Sequence, residues 1–307
     1  MDKLYLMTVF IAVAEEESFA GAARKLDMSP PAVTRAIASL EGRLGVKLLH
    51  RTTRYVRVTD AGQRYLDDAR RIVMEVDEAD EVAQGINAAP RGHLAVTAPV
   101  LFGKMFVLPG VIEFLQCYPE MQVSTVFLDR VVHLLEEGFD VGIRIGELPD
   151  STMKAKHVGY VRRVVCASDS YLAKNGQPLL PAELIHHTVI AAGSVSPSIE
   201  WKFGTEKRAS MVLVKPRLTV SNNDAAIEAA VQGFGITRLL SYQIGPHIST
   251  GKLKVILSEF EDDPIPVHVI HREGRYASGK VRSFVDLMTE KLKHDLEEID
   301  TQCGDEG

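Results

Sequence analysis

Cysteine is scarce in this chain of 307 residues: Cys117, Cys166 and Cys303 are the full set. Three thiols cannot build a disulfide framework, so the fold must rest on buried apolar surface, and a reducing compartment is expected. Long apolar runs are missing too, and no stretch reads as long enough to span a bilayer. The first residues, MDKLYLMTVFIAVAEEES, carry no basic leader region and no cleavage site, and their apolar positions recur at helical spacing. A cytoplasmic protein with no membrane partner is the expectation. Motifs of catalysis are also absent: there is no glycine-rich phosphate loop, no HExxH and no CxxC. His186 and His187 suit capping or solvated positions better than a metal site. His268 and His271 fall on opposite faces of a strand. Cys166 sits in the apolar run Val164 to Ala167, where cysteine serves as a small hydrophobe. The expectation is therefore no enzyme, no cofactor and no metal. A net charge of −6 argues against a general nucleic-acid coat protein.

One local absence is more informative. From Lys47 to Arg57 there is no acid, while Lys47, Arg51, Arg54 and Arg57 are present. Directly before this basic run lies a helix signal. Ser29 is a good N-cap, because its hydroxyl can accept from a free first-turn N–H. Pro30 follows at the first helical position, where a missing N–H costs nothing. Val33, Ile37, Leu40 and Leu44 form one apolar stripe, and Gly45 can end the helix in the left-handed region. The outward residues Pro30, Pro31, Thr34, Arg35, Ala38 and Ser39 are mostly small, so a groove wall can approach them. Upstream, Ser18 caps a segment from Phe19 to Leu26, with a turn at Asp27-Met28. Ala22 and Ala23 permit a close crossing of the two helices. This is a helix-turn-helix pattern. A small helical hairpin in any core would look similar. The basic run separates the two readings, because Lys47–His50 and Tyr55–Val58 have strand character around Thr52-Thr53. A basic wing beside a groove-entering helix is a phosphate-binding pair.

The spacing of Phe19, Ala22-Ala23, Leu26, Ser29-Pro30, Ala32 to Arg35, Ile37, Leu40-Glu41, Leu44-Gly45, Leu48, Arg51, Arg54, Thr59 and Gly62 resembles the winged helix-turn-helix of LysR-type transcriptional regulators. The resemblance implies a protein that binds double-stranded promoter DNA as a dimer or a dimer of dimers. It implies a small-molecule effector held between two lobes, and RNA polymerase as a further partner. The expected DNA-binding residues are Ser29, Pro30, Pro31, Val33, Thr34, Arg35, Ser39, Arg51, Thr52, Thr53 and Arg54. The rival from another class is a cytoplasmic small-molecule-binding protein or enzyme with an accessory helical domain.

In chain order, Asp2 opens a first helix with Leu4, Met7, Phe10, Ile11 and Ala14 as its buried face and Glu15 to Glu17 at its solvated end. After the wing, Thr59 opens a long helix with Asp60 in the first turn, where a negative charge suits the dipole. Tyr65, Ala69, Ile72, Val76, Ala79, Ala83 and Ile86 recur in steps of four and three, a heptad seam on an otherwise polar helix. At about 1.5 Å per residue it spans roughly 40 Å. Such a seam pairs with a second copy, and the resemblance makes this the linker helix of dimerisation. Asn87 to Gly92 breaks it. Strands are then expected at His93–Ala98, Met121–Leu128 and Phe139–Ile145, a loop at Pro99–Gly103, and helices at Met105–Cys117 and Val131–Glu137. This βαβαβ order predicts a mostly parallel sheet. In a second block, from Val164 to about Asp262, short helices fall at Tyr171-Leu172 and Pro181–His187. Strands fall there at Val189–Ala192, Met211–Val214 and Leu218–Ser221, with a helix at Asn223–Gln232. A strand at Ile265–His271 and a helix at Ser278–Glu298 return to the first block.

The expected class is α/β overall. It comprises an N-terminal all-α winged helix-turn-helix (1–59), a linker helix (60–87) and a two-lobed α/β domain (88–300). By resemblance the last is of type 2 periplasmic-binding-protein type, with lobe I at 91–162 and 266–300 and lobe II at 163–265. Hinges are expected near Arg162–Cys166 and Glu261–Val267. Loops after strands and helix N-termini border the crevice of such folds, where free N–H groups can hold an anion. The effector-binding residues implied are Pro99, Val100, Phe102, Asp129, Arg144, Gly146, Gly193 and Asn223. Many family members carry hydroxyls in the first of these loops. Val100 and Phe102 stand there instead, which favours an apolar or aromatic ligand over a carboxylate. Redox-sensing members need paired cysteines in the second lobe, and only Cys166 lies there.

Overall fold

The computed structural model describes residues 2–51, 56–84, 89–134, 136–148, 153–193, 198–205, 210–272 and 278–304. The chain divides into two compact units, Met1–Ala88 and Ala89–Gly307.

The first unit runs α1 (Lys3–Glu16), α2 (Phe19–Lys25), α3 (Pro30–Leu44), β1 (Leu49–Arg51), β2 (Val56–Val58) and α4 (Asp60–Gln84). Ser18 caps α2, its Oγ accepting from the Gly21 N–H at 3.1 Å. The turn uses Asp27 in the left-handed region, φ 51°, and the Met28 N–H closes it on the Ala23 carbonyl at 2.8 Å. Buried Ala22 and Ala23 let α2 cross α3 closely. α3 starts with Pro30 at its first position and stops at Gly45, φ 71°; the Ser29 hydroxyl makes no cap bond, contrary to expectation. The buried stripe of α3 is Val33, Ala36, Ile37 and Leu40, and Leu44 is exposed. On α1 the wholly buried line is Leu6, Val9, Phe10 and Val13. Leu4, Ile11 and Ala14, expected inside, are half-buried. The line shifts because α1 packs against α2, α3 and α4 together, which no single-stripe pattern anticipates. Each of these large side chains contributes about 1.5–3 kcal/mol by leaving water.

The start of α4 belongs to this core. The Tyr65 ring lies 5.7 Å from Phe10, and Leu66 and Ala69 are buried within the chain itself. Glu15 binds Lys25 and Arg70, each at 3.0 Å, linking α1, α2 and α4. The expected intermolecular seam therefore loses its first two members, Tyr65 and Ala69, to the chain's own packing. Ile72 and Val76 are half-buried. Ala79 and Ala83 follow along α4, and Ile86 lies outside the described residues.

The second unit holds two five-stranded sheets. Lobe I has the order β4-β3-β5-β14-β6, where β3 is Gly92–Ala98, β4 Met121–Phe127, β5 Val141–Ile145, β6 Met153–Val161 and β14 Ile265–Arg272. β4, β3 and β5 run parallel; β14 is antiparallel to β5 and β6. α10 (Gly279–Gly304) covers this sheet with Phe284, Val285, Met288 and Leu292. Lobe II has the order β11-β8-β12-β7-β13. Its elements are β7 (Arg163–Ala167), α7 (Asp169–Asn175), β8 (Val189–Ala192), β11 (Pro216–Val220), α8 (Asn223–Val231), β12 (Ile236–Leu240), α9 (Ser241–Ser249) and β13 (Lys254–Ile256). A separate hairpin pairs β9 (Ile199–Phe203) with β10 (Ser210–Val214).

Several expectations are corrected. The loop at Pro99–Gly103 is helical: α5 (Val100–Phe102) runs through a π-turn at Gly103–Val107 into α6 (Leu108–Cys117). Pro109 has no N–H for the Met105 carbonyl, and the wider π register accommodates that break. The fused run Val100–Cys117 is long and apolar enough to cross a membrane, which the shorter expected helix was not. Its Phe102, Val107, Val111 and Phe114 are instead buried in the lobe I core. The expected helix at Val131–Glu137 is not formed: Val131, Val132 and His133 have no regular structure, Leu134, Glu136 and Glu137 lie in turns, Leu135 lies outside the described residues, and Gly138 takes φ 74°. β6, β9, β12, β13 and α9 were not anticipated. β6 is a polar edge strand with a register shift, so its alternation is broken.

Glycine positions in the first unit provide a paired stability test. A Cβ at Gly62 would sit 2.0 Å from the Leu48 carbonyl oxygen, whereas one at Gly42 meets nothing within 4 Å. Gly62→Ala should cost about 1–3 kcal/mol through overpacking. Gly42→Ala, inside α3, should add about 0.5–1 kcal/mol. Calorimetry of the full chain should show opposite shifts in the transition of the first unit; shifts of the same sign would contradict this packing.

Candidate nucleic-acid interface and effector cleft

The first turns of α3 present a continuous exposed row. Ser29, Pro30, Pro31, Thr34, Arg35 and Ala38 are exposed and Ser39 is half-buried. The Thr34 hydroxyl donates to the Pro30 carbonyl at 3.0 Å, which leaves its lone pairs outward. Val33, expected at the DNA, is wholly buried between α1 and its own helix's stripe. It packs and cannot reach a base. The wing is an antiparallel pair, with Leu49 opposite Val58 and Arg51 opposite Val56. Thr52, Thr53 and Arg54 lie outside the described residues.

What holds the wing to α3 was not anticipated as a role. Glu41 is buried on α3, and its Oε1 accepts from the Leu48 and Leu49 N–H groups at 3.0 and 3.3 Å. Its Oε2 accepts from Lys47 Nζ at 2.8 Å. From the other side the Thr59 hydroxyl donates to the Lys47 carbonyl and the Thr59 N–H to the Leu48 carbonyl, both at 2.9 Å. A cavity of about 270 Å³ lies between the end of α1 and the wing, lined by Ala14, Glu17, Leu49, Val56, Arg57 and Val58.

In the second unit, the carboxyl ends of parallel strands from the two lobes meet. Phe102, after β3, lies edge-on to Tyr242, after β12, with ring centroids 5.2 Å apart, and Phe106 completes the cluster. Phe102 and Tyr242 are both almost fully buried. Burial pushes the Tyr242 phenol well above its usual range, and the nearby Asp129 carboxylate adds to this. Asp129 Oδ1 accepts from the Val100 N–H at 3.0 Å, so it caps the helical run that begins at Val100 and carries Phe102. Pro99, Val100, Phe102 and Asp129 are thus together. Arg144 is drawn elsewhere: its guanidinium donates to the Val132 carbonyl at 2.8 Å and the Ile143 carbonyl at 3.3 Å. Gly146 and Gly193 take φ 122° and 98° at the ends of β5 and β8. The cap of α8 is Asn222, whose Oδ1 accepts from the Ala225 N–H at 2.9 Å; Asn223 is the first residue within the helix.

The chain crosses between lobes at Arg162 and again at Glu261–Pro264. Arg162 pairs with Glu261 at 3.0 Å, joining the two crossings. Asp262 pairs with Arg238 at 2.9 Å and Arg163 at 3.4 Å. Burial raises the Glu261 carboxyl, and Arg162 opposes that rise. Arg163–Cys166 and Ile265–Val267, included in the expected hinges, are already paired strand.

Residues 4–63 match the model of the bacterial regulatory helix-turn-helix proteins of the lysR family, and residues 87–293 match the LysR substrate binding domain. The chain belongs to the LysR family of transcriptional regulators. An HTH-type transcriptional regulator of Xanthomonas campestris is 32% identical over 300 residues, covering 96% of this chain and 87% of that protein. CrgA of Neisseria meningitidis is 31% identical, covering 94% and 97%. Its solved structure gives a TM-score of 0.60, covering 94% of this chain and 98% of that one. The Vibrio cholerae virulence activator AphB, at 24% identity and TM-score 0.59 over 94% and 99%, shares the fold. This LysR-family chain is accordingly a DNA-binding transcriptional regulator with a helix-turn-helix head and an effector-binding domain. Its fold class is the one expected.

Sequence reading missed Tyr242, Phe106 and the role of Glu41. The first two follow from an unanticipated helix and a π-turn. A lone glutamate between Leu40 and Gly42 looks like a solvated position until the wing is folded onto it. Among the thiols, Cys166 is fully buried and pushed up to about 12 by desolvation, whereas Cys117 is exposed. Iodoacetamide at pH 8 should modify Cys117 in the native regulator and spare Cys166, with both modified after unfolding. Equal native labelling, read by peptide mass mapping, would contradict the buried strand.

Proposed function

We propose that this regulator reads promoter DNA with the exposed first turns of α3, through Ser29, Pro30, Pro31, Thr34, Arg35 and Ser39. Arg51, Thr52, Thr53 and Arg54 of the wing serve phosphates. The observation that carries this reading is the exposed row itself: the head closes its core without those residues. Small side chains there admit a groove wall, and Arg35 provides the cation suited to a guanine edge. Two copies pair through the later part of α4, beginning with Ile72 and Val76 and continuing through Ala79 and Ala83. As a dimer or a dimer of dimers the protein answers a small-molecule effector in the interlobe cleft, bordered by Pro99, Val100, Asp129, Gly146, Gly193 and Asn223. Val100 carries no hydroxyl there, and Phe102 and Tyr242, buried against each other where the lobes meet, become available to a ligand only as that contact opens, which favours an apolar or aromatic effector. The domain limits are a head at 1–59, a linker at 60–87 and a regulatory domain at 88–300. The protein is not an enzyme, acts in the cytoplasm without a membrane partner and contacts RNA polymerase.

Sequencing the DNA fragments retained by the purified regulator identifies the operator. On that fragment Arg35→Ala should weaken specific binding by about 1–3 kcal/mol if the guanidinium bridges a base edge. Unchanged affinity would remove α3 from the bases.

The pairing reading has its own test. Ile72→Asp with Val76→Asp sets carboxylates into a dry interface and should dissociate the assembly. Light scattering at micromolar concentration decides it, and a monomeric wild type would end the seam proposal.

A further inference from the structure

We propose that Glu41 is a positioning residue for DNA binding: it fixes the wing against α3 and holds the Lys47 charge away from the phosphates. The inference rests on the reading that α3 and the wing meet DNA. Glu41 is 3% exposed, two turns beyond Thr34 along α3, where the segment leading into the wing covers it. A buried carboxylate is stable only where donors replace water. Here the donors come from the segment leading into the wing: two consecutive backbone N–H groups, of Leu48 and Leu49, converge on Oε1. Such bonds to an ionised carboxylate are stronger than those between neutral groups. They set where β1 starts relative to α3, while Thr59 holds the same segment from α4. Without Glu41 the wing keeps its Thr59 bonds and the core packing of Leu48, Leu49 and Val56 but loses its polar tie to α3.

The second oxygen has a different consequence. Oε2 accepts from Lys47 Nζ at 2.8 Å, although the Lys47 side chain is 78% exposed. Lys47 opens the acid-free basic run, and by position it belongs with the phosphate-binding cations. Paired to Glu41, it presents little net charge to a polyanion. Glu41 therefore does two opposed things: its backbone bonds favour DNA binding by placing the wing, and its ion pair subtracts one cation from it.

Two substitutions separate these effects in the full-length protein on a mixed-sequence 40-base-pair duplex. Glu41→Gln keeps an oxygen for the Leu48 and Leu49 amides and removes the charge. It should tighten binding, and the plot of log K against log salt should steepen by about 0.9, the value for one added phosphate contact. Adding Lys47→Ala to Glu41→Gln should abolish that gain, while Lys47→Ala alone should leave the slope at the wild-type value. Glu41→Ala removes both functions and should make the slope shallower by about 0.9 or more. Loss of fold alone lowers the active fraction without changing the slope, so the slope separates positioning from destabilisation. If Glu41→Ala does not fold, Glu41→Gln and Lys47→Ala still decide the matter. A wild-type slope for Glu41→Gln, or a shallower one for Lys47→Ala alone, would overturn the proposal. Arg35→Ala on the selected operator is the control: if it binds as wild type, the placement of α3 has failed, and if only the Glu41 series is silent, this inference has.

Discussion

Arg162 and Glu261 close the point on which the second unit turns. The chain passes from lobe I to lobe II at Arg162 and returns at Glu261–Pro264, and the 3.0 Å ion pair ties the two passages together. Asp262 extends the tie to Arg238, whose guanidinium lies 4.6 Å from the Phe203 ring centroid. The hairpin β9–β10, lobe II and the returning strand are thereby joined at one place. An ion pair that is partly buried is costly to break, because each charge loses its partner in a poorly hydrated site. Relative motion of the lobes must bend backbone at these passages or rearrange this set of charges.

The same closure explains the aromatic contact between lobes. The ends of β3 and β12 are brought close enough for Phe102 to lie against Tyr242. A ligand that favours one arrangement of the lobes has to exchange that contact for its own, and only a difference in affinity between the two arrangements shifts their populations. A buried ring pair suits a ligand that can replace ring contacts in kind, which is the physical content of the proposed effector class.

The head follows a different rule. It is small and closes its core by letting α1 touch each of the other helices, so residues that look like an intermolecular seam are partly used at home. Tyr65 and Ala69 open the heptad of α4 in sequence, yet Tyr65 packs on Phe10 of α1 and Ala69 is buried within the chain. Ile72 and Val76, one turn and more beyond, are half-buried in the chain alone. A periodic stripe reveals that a face is covered; it does not reveal by what.

Local rules of helix and strand formation made much of this protein legible. Ser18 as a cap, Pro30 and Gly45 as the limits of α3, the outward residues Pro30, Pro31, Thr34 and Arg35, and the strand from Val189 to Ala192 all follow from residues near one another in the chain. The helix-turn-helix and its family were readable for the same reason, because a groove-reading helix is specified by capping, periodicity and local charge. Contacts between distant segments were not readable. The burial of Val33, the folding of Glu41 onto Leu48 and Leu49, the turning of Arg144 to Val132 and the meeting of Phe102 with Tyr242 each join elements whose approach no local pattern encodes. β6 was hidden because an edge strand with a register shift loses the alternation that marks a strand. Sequence alone determined which segments are helix or strand wherever a period was kept, and which residues face outward on α3. Tertiary structure decided which covered faces serve the chain's own core, because that depends on what packs against them and not on the period they carry.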